Sequence, residues 1–169
     1  MKTILSLLLA TVLVCLAACE KNDYNRGGLH EYDNHYYAGY IPNTNTGVTV
    51  ARTQAALVKF PVQFYSAFTR DYDAIAYYGV VTTGISNPAV LGQDFAVVDK
   101  NGNVIQPVNG KFSIVFPQAK KAMDTIYLKM LNSSIAGSRK MEIQLMDNKT
   151  DKYEVDTFST AYTRPVQIN

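Results

Sequence analysis

Cysteine is nearly absent from this chain of 169 residues: there are two, and both fall in the stretch Leu13 to Asp23, "LVCLAACEKND". Everything beyond Cys19 must therefore hold its core without a covalent staple. Tryptophan is missing and histidine occurs twice, so a three-histidine metal site is excluded. Charge is sparse and balanced, with 16 basic against 14 acidic residues and a formal net charge of +2. No run of lysine or arginine marks a surface for nucleic acid or anionic lipid. No apolar stretch reaches the roughly 20 residues that a membrane-spanning helix needs. There is no internal repeat, no glycine loop to cradle phosphate and no Gly-x-Ser-x-Gly elbow. An enzyme is not expected, and neither is a cofactor.

What is present begins with a leader. "MKTILSLLLATVLVCLAA" places one positive charge, Lys2, before an apolar run and closes on the small residues Ala17 and Ala18, the three-part pattern of a secretory signal. A disulfide or a metal pair between Cys15 and Cys19 does not suit an apolar leader. "LAAC", Leu16 to Cys19, resembles instead the bacterial lipoprotein box. There a thiol accepts a diacylglycerol, and small side chains let a peptidase reach the backbone just before it. The resemblance implies that residues 1–18 are cleaved and that Cys19 becomes the lipidated first residue. The protein is then tethered to a membrane rather than spanning it. Residues 19–47 read as a tether merging into the domain, because "EKNDYNRGGLHEYDN" is polar and holds a glycine pair. Glu20 and Asp23, close behind the lipid site, resemble the acidic export signal of Bacteroidota surface lipoproteins.

Residues 48–169 read as one β domain. From Ala55 onward the apolar residues recur with period two: Val58, Phe60, Val62 and Phe64, then Phe112, Ile114 and Phe116. Ile126, Leu128 and Met130, then Met141, Ile143 and Leu145, and finally Val166 and Ile168 continue the pattern. Alternation of this kind marks strands packed on one face. "NGN" at Asn101 to Asn103, "NSSIAGS" and "DNKTDK" supply turns. Pro61, inside a strand pattern, argues for an edge strand or a bulge. "PQAKKAMD" is too short to count as a helix. The expected fold is all-β, an antiparallel immunoglobulin-like sandwich of about seven to nine strands.

The order of these elements from about Ala55 to Ile168 resembles a Calx-beta-type sandwich, as found in small uncharacterised surface lipoproteins of Bacteroidota. The residues that carry the likeness are "YYGVVTTG", then "AVLGQDFAVVD" with Gly92, Asp94 and Phe95, then "GKFSIVF", "DTIYLKML", "RKMEIQLMD" and "RPVQI". Calcium-binding members of that family carry acidic residues after the "DTIYLKML" strand and before the next. Here those places hold Asn132-Ser133-Ser134 and Arg139-Lys140. A calcium ion needs six to eight oxygens, several of them carboxylate, and Asp94 and Asp99 alone do not supply them. Asp94 reads as a turn residue bonding to nearby backbone.

Two constellations invite a functional reading. "HEYDNH" suggests zinc, but His30 and His35 are five apart, and the helical motif requires four. Asp33 or Glu31 would have to complete such a site, and no metal is expected. The tyrosines of "YYAGY" and "DYDAIAYY", with Tyr36, Tyr37, Tyr77 and Tyr78 foremost, offer flat apolar faces with polar tips suited to stacking on sugar or peptide. Glu142 and Asp147 read as ordinary surface charges. The whole points to a lipid-anchored, non-catalytic binding or accessory module of the outer membrane, implied by the resemblance and tied to glycan uptake or surface assembly. A structural or adhesion subunit that pairs strands at a sheet edge is the alternative. Cells fed a traceable fatty acid should label the protein through Cys19; Cys19→Ser should abolish the label and release the protein from the membrane fraction.

Overall fold

The computed structural model describes residues 34–169; the leader, Cys15, Cys19, His30, Glu31 and Asp33 lie outside the described residues. Eleven strands follow in order: β1 (His35–Tyr40), β2 (Val48–Val50), β3 (Val58–Tyr65), β4 (Ala74–Val81), β5 (Phe95–Val98), β6 (Phe112–Phe116), β7 (Ala122–Met130), β8 (Arg139–Met146), β9 (Asn148–Lys149), β10 (Glu154–Thr157) and β11 (Thr163–Ile168). One sheet has the order β5-β7-β3-β1-β10-β9 and the other β2-β11-β8-β4-β6. Among the described residues no α-helix occurs, only a 3-10 turn at Pro117–Ala119 within the segment expected to be too short for a helix.

The period-two pattern translates directly into packing. In β3 the buried residues are Val58, Phe60, Val62 and Phe64; in β6 they are Phe112, Ile114 and Phe116. β7 and β8 bury the residues expected of them, Ile126, Leu128 and Met130 against Met141, Ile143 and Leu145. Aromatic rings join the two layers: Phe64 of one sheet stacks on Phe116 of the other with centroids 4.5 Å apart. β5 departs from alternation, since all four of its residues are buried. Its free edge is covered by the chain that follows, where Val104 bridges Val98 and the Ile105 N–H donates to the Val97 carbonyl at 2.9 Å.

Three expectations need correction. His35–Tyr40 is not tether: it is β1, an inner strand between β3 and β10, with Tyr36, Ala38 and Tyr40 buried. The sandwich is not wholly antiparallel, because β1 runs parallel to β10 and β2 runs parallel to β11. β3 is neither an edge strand nor bulged, since it is paired on both sides in regular register, although Pro61 itself faces only Thr125 of β7. The missing N–H is tolerated because β1 ends where Tyr40 faces Val62, so no residue of that strand stands opposite the proline. The Pro61 carbonyl still accepts from the Ile41 N–H at 2.9 Å.

The turn from β1 into the rest of the fold is held by a buried cation. Arg164 is 4 % exposed and has no carboxylate partner among the described residues. Its guanidinium donates to the carbonyls of Pro42, Thr44 and Thr163 and lies 4.6 Å from the Tyr40 ring centroid. Burial lowers the arginine's tendency to stay protonated below its ordinary value, and the nearby Tyr40 opposes this. The core itself carries most of the stability. Phe64→Ala removes a fully buried ring and should cost about 3–5 kcal/mol in urea unfolding, with the far-UV spectrum of the folded state unchanged.

Candidate functional site

β1 builds the site because its alternate residues face outward. With Tyr36, Ala38 and Tyr40 turned inward, His35, Tyr37 and Gly39 fall on the outer face of the sheet. Parallel pairing with β10 sets Tyr37 beside Asp156, and antiparallel pairing with β3 sets Tyr37 opposite Tyr65. Phe158, just past β10, lies back over β1, and its N–H donates to the Ala38 carbonyl at 3.3 Å.

Gly39 is what lets it lie there. A Cβ at position 39 would stand 2.7 Å from Phe158 Cδ2, closer than two carbons can approach. The result is a row of rings. Tyr37 stacks on His35 at 5.0 Å and on Phe158 at 5.2 Å, each with an interplanar angle of 15°, while Tyr65 meets Phe158 edge-on at 5.2 Å. Tyr37 keeps 39 % of its surface in solvent. The rim is polar: His35 Nε2 lies 2.7 Å from Asp156 Oδ2, and Lys121 Nζ lies 6.0 Å from the Tyr65 centroid. Ring edges and a phenol hydroxyl bordered by an acid, an imidazole and an ammonium can receive the apolar C–H groups of a sugar and bond its hydroxyls.

The four tyrosines singled out from sequence do not converge. Tyr37 alone belongs to the row. Tyr36 is 2 % exposed and serves an internal chain of hydroxyls. Arg70 Nε donates to Tyr36, Tyr36 meets the Tyr72 hydroxyl at 2.7 Å, and Tyr72 donates to Asn34 Oδ1 at 2.9 Å. Tyr78, 3 % exposed, stacks on Phe112 in the core. Tyr77 faces outward on the other sheet, with Lys111 Nζ 5.4 Å from its ring. Tyr36 and Tyr78 are therefore core residues, and Tyr77 lies on a different sheet from Tyr37. His35, Tyr65 and Phe158 were not anticipated.

The two carboxylates weighed for calcium, Asp94 and Asp99, are already engaged. Asp94, 3 % exposed, accepts from the Val90 N–H at 2.8 Å, a backbone contact of the kind expected of a turn residue. Asp99 accepts from the N–H groups of Asn101 and Asn103 and from Asn103 Nδ2, and the Asn103 contacts hold its pKa below the ordinary carboxylate value. Among the described residues no group of three or more His, Cys, Asp or Glu is placed to hold a metal. Glu142 accepts from the Thr163 hydroxyl, and Asp147 accepts from the Thr157 N–H and hydroxyl.

No known protein family matches the chain, and no curated protein does. Solved structures do. CBD12 from CALX1.2 superposes with a TM-score of 0.50 at 14 % identity, over 79 % of this chain and 43 % of that one. The apo form of the Calx CBD1 domain gives 0.49 at 14 % identity over 79 % and 97 %, and the Calx CBD2 domain gives 0.46 at 10 % over 78 % and 85 %. The fold is thus a Calx-beta-type, immunoglobulin-like β-sandwich.

Three tyrosines held by the fold should resist alkaline titration. Burial raises Tyr40 and Tyr78 well above the usual value of 10.0, with the charge of Asp124 adding to the shift at Tyr78. Tyr72 is raised by burial and by its bond to Tyr36. A raised folded pKa gives stability that is complete below the unfolded value and lost as pH climbs toward the folded one. Ultraviolet absorbance should therefore show Tyr40, Tyr72 and Tyr78 ionising only as the protein unfolds.

Proposed function

We propose that the chain is a lipid-anchored, non-catalytic binding module of the outer membrane, displayed on the cell surface. Its row His35–Tyr37–Phe158, flanked by Tyr65, takes up a glycan for an envelope uptake or surface assembly. The observation that carries this reading is the solvent-facing stack of Tyr37 between His35 and Phe158, made possible by a glycine. A stack of rings left open on the outer face of a sheet contributes little to the core beneath it. The ring edges they leave in solvent gain energy when an apolar surface covers them. The lipid anchor rests on Cys19 and the leader, and the glycan on the chemistry of the row.

A second reading is favoured by β6, which is paired only with β4. The Ile75 N–H donates to the Tyr153 hydroxyl, and the Ile75 carbonyl accepts from Asn148 Nδ2. Ile75 therefore turns its backbone groups away from its β6 neighbour, Val115. By the alternation of antiparallel ladders, Ser113 and Val115 then point their own N–H and C=O groups off the free edge. Such an edge could accept an added strand, as an adhesion subunit would require.

Binding of the purified chain to an array of immobilised glycans separates the two. Tyr37→Ala and Phe158→Ala should each weaken binding by about tenfold, on the order of 1.4 kcal/mol, while Tyr77→Ala leaves it intact. Binding unaffected by both ring deletions, with concentration-dependent association through β6, would establish the second reading in its place.

A further inference from the structure

The loop between β7 and β8, residues 131–138, is arranged around a positive charge. Arg52, two residues past β2, reaches into it with its guanidinium. Nη1 donates to the carbonyls of Ser133, at 3.2 Å, and Ile135; Nη2 donates to the carbonyl of Gly137 at 2.6 Å. Three alternate carbonyls of one loop thus converge on a single planar cation. The backbone is shaped for this: Asn132 and Gly137 take positive φ values of 49° and 89°, which turn successive peptide planes so that the oxygens face the same side. The backbone of Arg52 is fixed independently, because its own N–H donates to the Asn169 carbonyl at 2.8 Å.

Carbonyls converging from one loop are a common way to hold a metal ion, and the resemblance noted from sequence raises calcium at this place. The residues do not fit it. Residues 131–138 contain no carboxylate, and Arg139 and Lys140 follow directly. A calcium ion held without carboxylates beside three fixed positive charges would lack both the ligand number and the compensating charge it requires. A guanidinium carries one charge and five N–H donors in a plane, so neutral carbonyls satisfy it. Among the described residues no carboxylate forms an ion pair with Arg52.

We propose that the Arg52 side chain is the resident cation of the β7–β8 loop, doing there what a bound divalent ion would do, so that the order of this loop is independent of calcium. A positive charge that cannot dissociate replaces one that could. The module is then constitutively ordered at a place where a calcium-dependent domain would respond to ion concentration. This inference stands apart from the glycan reading, since the row of rings lies on β1, β3 and the chain after β10.

Amide hydrogen exchange and thermal melting of the full chain test it. In the wild type, millimolar calcium chloride or a chelator should change neither the exchange of residues 131–138 nor the melting temperature. Arg52→Ala should raise exchange in that loop by about tenfold or more, the scale of a lost hydrogen bond to a charged donor, and Arg52→Lys should recover part of the protection. If Arg52→Ala does not fold, Arg52→Gln, which keeps the length and removes the charge, serves in its place. Slower loop exchange or a raised melting temperature in the wild type on adding calcium would overturn the proposal, as would a charge-deleted variant with unchanged loop exchange.

Discussion

The pairing of β1 with β3 on one side and β10 on the other is the constraint on which the described structure depends. Its inward residues supply two tyrosines to a core that has no tryptophan and, beyond Cys19, no cysteine. Its outward residues supply His35, Tyr37 and the glycine that admits Phe158. Take β1 away and the sheet falls into a fragment of β5, β7 and β3 and a fragment of β10 and β9. The core and the surface row are two faces of the same six residues.

The long strands could be read from the chain because each alternates strictly and packs on one face. β3, β6, β7 and β8 bury the residues that their periodicity indicates. β1 was harder to see for a physical reason. Its alternation is written in tyrosine, alanine and glycine, residues at home in a polar linker, and it follows directly on polar sequence. Its partner β10 lies more than a hundred positions away, so no local turn announces the pairing. The short strands β2, β9 and β10 hold too few residues for a period to emerge. Of the site, Tyr37 was legible as an aromatic residue beside others, but Tyr36, one residue earlier, faces the opposite way. Register decides which tyrosine sees solvent. Phe158 sits in a loop and joins the row only through tertiary structure.

Two arginines show how this fold handles positive charge without an acidic partner. Arg164 and Arg52 both give their guanidinium protons to backbone carbonyls rather than to carboxylates. Each ties a loop to a strand of the β2–β11 pair or its continuation. A carbonyl partner does not titrate, so these contacts persist at acidities that would neutralise an aspartate. Asp94 and Asp99 meanwhile spend their oxygens on nearby backbone amides.

The position of β1 also has a mechanical meaning. Tension arriving from the N-terminal side enters the described fold at His35 and runs along a strand that is bonded on both flanks. The rungs to β3 and β10 then bear that pull together, in shear, instead of parting one after another like a zip. A domain held in this way resists unravelling from that end.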